Sequence, residues 1–181
     1  MKLTLDNASA NEYELYNIVV ALEGTMEEKF VQLTENDIFN RYRIIHNQYF
    51  ELCSSTADEQ IKIGSLKRLV FLNWISLIEP SCFTGLHELD RKIISGAYAL
   101  LDERVAQNKL DEEFTWMLSY YSSWDWAILT FSENKFNALT RFVKSTNTLI
   151  SHVPKNKLPQ GSMNQRGQMG IYWKSCSVEI E

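Results

Sequence analysis

Over the first 150 residues apolar side chains recur at intervals of three and four, the spacing that lines one face of an α-helix. The clearest run is Ile38, Tyr42, Ile45, Tyr49 and Leu52, a seam two heptads long. Two heptads are too few for a coiled coil, so the spacing predicts a helix packed inside a bundle. Thr34 would open it, with Asp37 where a capping-box acid would sit. Upstream, Leu15, Ile18, Val19 and Leu22 predict a helix over residues 10–23 that stops at Gly24, and Met26 to Leu33 reads as a short amphipathic extension.

After the polar break Ser54-Ser55-Thr56, a third helix is expected to run to Glu79, because Pro80 disfavours helical geometry at the residue before it. Its second half, with Leu69, Val70, Phe71, Leu72, Trp74 and Ile75, is apolar all round, which predicts a central, buried position. A fourth helix is expected from Thr84 as N-cap, with Leu86, Leu89, Ile93, Ala97 and Leu100 inside. The acids Asp111-Glu112-Glu113 suit the start of a fifth, which carries Phe114, Met117, Tyr121, Trp124, Ile128 and Phe131 on one side. Ser132 caps a sixth with Phe136, Leu139, Val143 and Ile150 facing inward.

Beyond Ile150 the pattern fails, since Pro154, Pro159, Gly161, Gly167 and Gly170 interrupt a polar stretch. From Ile171 to Glu181 the chain alternates in the manner of a strand. Leu3 and Leu5 alternate likewise at the other end and offer an edge; a strand of another protein is the second option. The expectation is all-α: a compact bundle of about six helices over residues 1–150, with an irregular arm over 151–181 that ends in a short β-strand and packs on the same domain. Only 7 Gly and 3 Pro among 181 residues support helices over a turn-rich β fold, and 45% hydrophobic residues suffice for one core.

Charge divides this chain. Through Asn134 there are 11 basic against 21 acidic residues, whereas from Lys135 to Val178 there are 7 basic and no acidic ones. An acidic body disfavours nucleic acid, because seven cations spread over forty-odd residues make no dense patch for phosphates. A basic arm folded back on its own acidic body accounts for the asymmetry without a ligand. No apolar run reaches a membrane span or a secretory signal core, so a cytoplasmic protein without membrane contact is expected.

Chemistry is sparsely signalled. His46, His87 and His152 lie on separate segments, and position 91, where a zinc-binding helix begun at His87 would need its second His, is Arg. Cys53, Cys82 and Cys176 are odd in number and far apart, which fits reduced thiols. Neither metal nor cofactor is expected. One constellation stands out: Trp116, Tyr120 and Asp125, with Trp74 and Glu79, would form an aromatic-walled ligand pocket if Asp125 pointed inward, where burial would raise its pKa and suit a general base. The competing reading makes the aromatics core and Asp125 solvated.

The other function class is non-enzymatic. Small acidic proteins without a catalytic signature suit the neutralisation of a basic partner, as bacterial immunity proteins neutralise toxins, because complementary charge speeds encounter. Asp102 and Glu103 with Asp111, Glu112 and Glu113 are the leading candidate contacts for such a basic protein partner, alongside Glu27-Glu28 and Asp58-Glu59.

Overall fold

A computed structural model describes residues 3–146, 153–154 and 161–178. Helix α1 (Leu5–Ala21) starts earlier than expected because the Thr4 hydroxyl caps it, accepting from the Asn7 N–H at 3.2 Å. Leu5 is therefore helical and offers no strand edge. The Thr25 hydroxyl and the Glu28 carboxylate form a reciprocal capping box, so α2 (Met26–Glu35) is a helix of its own. Thr34 lies inside it and bonds back to the Phe30 carbonyl, so it caps nothing downstream. The turn into α3 (Ile38–Ser55) instead uses Asp37 in a left-handed conformation, φ 55°. All five residues of the predicted α3 seam are buried.

Asp58 caps α4 (Glu59–Ile78), accepting from the N–H groups of Gln60 and Ile61. Every residue from Ser65 to Ile75 is buried, Lys67 and Arg68 included, and α4 touches α1, α3, α6, α8 and α10. It is the central helix its all-round apolar surface predicts, and it ends at an extended Glu79 before Pro80. A single turn, α5 (Ser81–Thr84), follows. Leu86 and Leu89 are buried but irregular, and Asp90 rather than Thr84 caps α6 (Arg91–Ala106).

The expected fifth helix is two. Asp111 caps α7 (Glu112–Tyr121) through the Phe114 N–H at 2.7 Å, a 3-10 turn over Ser122–Trp124 breaks the axis, and α8 (Asp125–Ser132) leaves in a new direction. Helix α9 (Asn137–Ser145) gets its N-terminal acceptor from another helix, Asp102 Oδ1 on the Leu139 N–H at 2.7 Å, and Ser132 belongs to the end of α8. Ile150, expected on this helix, lies outside the described residues.

The arm departs furthest from expectation. Gly167–Cys176 form helix α10, packed on α1 and α4, so the alternation from Ile171 onward does not make a strand there. Among the described residues of the predicted strand only Ser177–Val178 (β2) are extended, paired in parallel with Val153–Pro154 (β1); residues 179–181 lie outside the described residues. The coarse class is all-α; the described residues hold more than six helices, and the terminal strand among them is confined to Ser177–Val178.

Candidate functional site

Helix α10 decides what the tryptophan cluster is. Trp74 is fully buried, with its ring centroid 6.0 Å from Tyr120, 4.5 Å from Tyr121 and 5.6 Å from Tyr172. Trp173, also fully buried, packs edge-on against Trp116 at 4.7 Å and donates its indole N–H to the Tyr121 hydroxyl at 3.2 Å. The Tyr172 and Tyr120 hydroxyls bond each other at 2.8 Å. Three of the five predicted pocket residues, Trp74, Trp116 and Tyr120, therefore do converge, but the side chains of α10 stand where a ligand would.

The two acids do not join them. Asp125 is exposed and its carboxylate accepts from the neighbouring Trp126 N–H at 2.7 Å, as an acid at the start of a helix does. Glu79 is exposed just past the C-terminal end of α4, where its charge acts on Tyr16 of α1. The condition for a pocket base, an inward carboxylate at Asp125, is not met.

The leading acidic candidates are occupied in holding the fold. Asp111 and Glu113 both receive Lys67, each at 2.7 Å, and Glu113 also receives Arg166 of the arm at 2.6 Å. Asp102 caps α9 and Glu103 accepts from Gln107 at 3.1 Å. Reversing these charges would not be silent: Glu113→Lys sets a third cation beside Lys67 and Arg166. With Glu113 only partly exposed, the expected loss is about 2 kcal/mol, below that of breaking a fully buried pair, and is read as a lower urea midpoint. An unchanged midpoint would show that the ion pairs contribute nothing.

Two buried titratable groups, Glu12 and His46, lie outside the predicted pocket and the acidic clusters. Glu12 is fully buried; its carboxylate accepts from the Tyr49 hydroxyl and from the Gln168 N–H at 2.7 Å, at the start of α10. Gly167 stands over it at φ 59°, and a Cβ there would collide with that carboxylate. Burial pushes Glu12 up to about 7, against the hydrogen bonds and the Arg68 charge, which pull it down. His46 of α3 bonds Asn73 Oδ1 of α4 at 2.7 Å, and burial lowers it to about 4. His87 sits apart in a triangle with Phe30 and Phe39, ring centroids 5.1 to 5.2 Å away, and His152 lies outside the described residues. No grouping of three metal-ligating side chains occurs among the described residues.

The surface that does combine features is α2 with α5. Met26, Phe30, Val31 and Phe83 are exposed, as is Val20 near the end of α1, and the first three share one arc of α2 with Glu27 between them. The Lys29 ammonium lies 5.8 Å above the Phe83 ring and ties the two elements together. Residues 22–40 hold five carboxylates, Glu23, Glu27, Glu28, Glu35 and Asp37, against that single cation, and all five are exposed. A shallow groove lined by Glu23, Glu27, Glu28, Val31 and Gln32 runs along the same face. Of the acidic candidates read from sequence, Glu27-Glu28 thus keeps an apolar neighbourhood. Among the described residues no helix is long and apolar enough to cross a membrane. Comparison with protein-family models, with curated proteins and with solved structures finds no match to this chain.

Proposed function

We propose that this chain is a non-enzymatic binding protein whose α2–α5 face docks a basic protein partner, and that within this class it acts as an inhibitor of the immunity-protein kind, neutralising a basic toxin. The observation that carries the reading is the juxtaposition of exposed Met26, Phe30 and Val31 of α2 with Glu27 and Glu28 of the same helix and Glu23 just before it. Clustered exposed apolar side chains with a polar rim mark interaction sites, and a rim of one sign selects a partner of the other sign and speeds its approach. The basic arm leaves this reading intact, because Arg166 and Lys144 are paired with Glu113 and Glu133 of the chain's own body.

The test compares the tagged protein with a Met26→Lys/Val31→Lys variant in affinity capture from a lysate of the producing cell, at low and high salt. Both positions are exposed, so the variant should keep its melting temperature nearly unchanged. The wild type should retain a stoichiometric basic protein that high salt weakens, and the variant should bind it at least about tenfold more weakly, as when anchor residues are lost from an interface. Equal retention by both, or a wild type without a partner, overturns the proposal.

A further inference from the structure

Away from the α2 face a cavity of about 260 Å³ opens between the end of α3, the start of α4 and the end of α6. Cys53, Leu66 and Leu100 give it a partly apolar lining, and Lys62, Arg104 and Lys109 outnumber the two carboxylates beside them, Glu59 and Glu103, the latter accepting from Gln107 at 3.1 Å. In a body with 11 basic residues against 21 acidic ones, three of the 11 converge on one small concavity. Arg104 reaches Glu59 at 2.6 Å, but that carboxylate is 62% exposed, at the solvent side, where it can turn away. Glu59 is held below the usual carboxylate range first by its hydrogen bond from Arg104, and the charges of Arg104, Lys62 and Lys109 add to that effect. All three cations line the same concavity.

We propose that this cavity binds a small organic anion, a phosphate or carboxylate head held by Lys62, Arg104 and Lys109 with a short apolar tail against Leu66, Leu100 and Cys53. Its volume lies just under the range of about 300 to 1,000 Å³ that drug-sized ligands occupy, so the guest is a small metabolite-sized molecule. An anion here displaces the Glu59 carboxylate from Arg104 and takes its place. The Cys53 thiol stays protonated in this role, because burial pushes it up to about 11. The ends of α3 and α6 also bring backbone carbonyls to this corner, which attract the same cations. The alternative is accordingly that the cations serve the helix ends and bind no solute.

Titration of the labelled full chain, followed by its amide NMR signals, separates the two. Phenyl phosphate and benzoate are the anionic probes, inorganic phosphate tests the head alone, and benzyl alcohol tests the tail alone. The proposal expects saturable shifts at Cys53, Lys62, Leu66, Leu100 and Arg104 with phenyl phosphate or benzoate, weaker binding with phosphate, and none with benzyl alcohol. Which aromatic anion binds more tightly assigns the head as phosphate or carboxylate. Lys62→Ala/Lys109→Ala should weaken binding about tenfold, the sum of two solvent-screened charge contacts, at a nearly unchanged melting temperature. No saturable shift with either aromatic anion, equal shifts with benzyl alcohol, or full affinity in the double variant would overturn it.

Discussion

Trp173→Ala should lower the stability of the folded chain by about 4 kcal/mol, the loss typical of deleting a large buried aromatic. The side chain is fully buried, fills the space between Trp116, Tyr120 and Tyr121, and spends its one polar atom on the Tyr121 hydroxyl. Removing it leaves a cavity in the aromatic cluster and an unpaired buried hydroxyl, and α10 loses its main anchor to the body. Tyr172→Phe is the control, since it keeps the ring and forfeits the hydroxyl that bonds Tyr120, worth about 1 kcal/mol. Urea unfolding reads both. A Trp173→Ala loss no larger than the Tyr172→Phe loss would mean that α10 does not complete the core.

Glu12 and His46 should give the protein two opposed pH dependences that nearly cancel. Glu12 has a folded pKa of about 7 against an ordinary 4.5, so between those values the folded state holds a proton that the unfolded chain releases. Its contribution is fully present below 4.5 and is lost as pH rises through 7. His46, at about 4 against 6.5, does the reverse: the unfolded chain takes up a proton that the buried ring refuses, so its contribution is present above 6.5 and lost as pH falls through 4. Each spans about 2.5 pH units, or about 3 kcal/mol. Glu12 faces Tyr49, Arg68 and the start of α10, and His46 faces Asn73 with Asp90 at longer range, so the two do not share a partner.

Unfolding free energies for Glu12→Gln, His46→Gln and the wild type across pH 4 to 7 separate them. The difference Glu12→Gln minus wild type should rise with pH by about 3 kcal/mol, and His46→Gln minus wild type should fall by about as much. The constant cost of each substitution cancels from these slopes. Two flat difference profiles would show that neither group is buried in its unfavourable state.

Much of the framework was legible because it depends on local spacing. The α3 seam and the all-round apolar α4 need only the 3.6-residue period, and Pro80 marks its stop by its own covalent geometry. Helix boundaries were harder where the cap is not the nearest hydroxyl: Thr34 and Thr84 look like N-caps, yet Asp37 and Asp90 sit at the starts of α3 and α6. No local pattern could show that α9 takes its acceptor from Asp102 on a different helix. The arm misled because Ile171, Trp173 and Ser175 alternate with polar neighbours only when Tyr172 is counted as polar. With Trp173 buried and Tyr172 half-buried in the aromatic cluster, the same residues make a helix face.

The candidate site followed the same division. That Trp116 and Tyr120 lie on one side of a helix was readable from their four-residue spacing; that Trp74 of α4 meets Tyr120 and that Tyr172 and Trp173 fill the space between them was not, because it takes contacts across forty residues or more. Glu12 did carry a signal once α1 is begun at Leu5: Ala8, Glu12, Leu15 and Val19 step by four, three and four, so an acid occupies a core position. The acids at 111–113 looked like free surface since a sequence does not show that Lys67 and Arg166 reach them from α4 and from the arm.

Hydrogen-exchange mass spectrometry of the captured complex against the free protein tests the binding reading most directly. The account predicts added protection over residues 20–35 and 83–88, the α2–α5 face, with no change at Asp102, Glu103 or residues 111–113. Protection confined to α6 and α7, or to the aromatic cluster around α10, with the α2 face left exchanging as in the free chain, would contradict it.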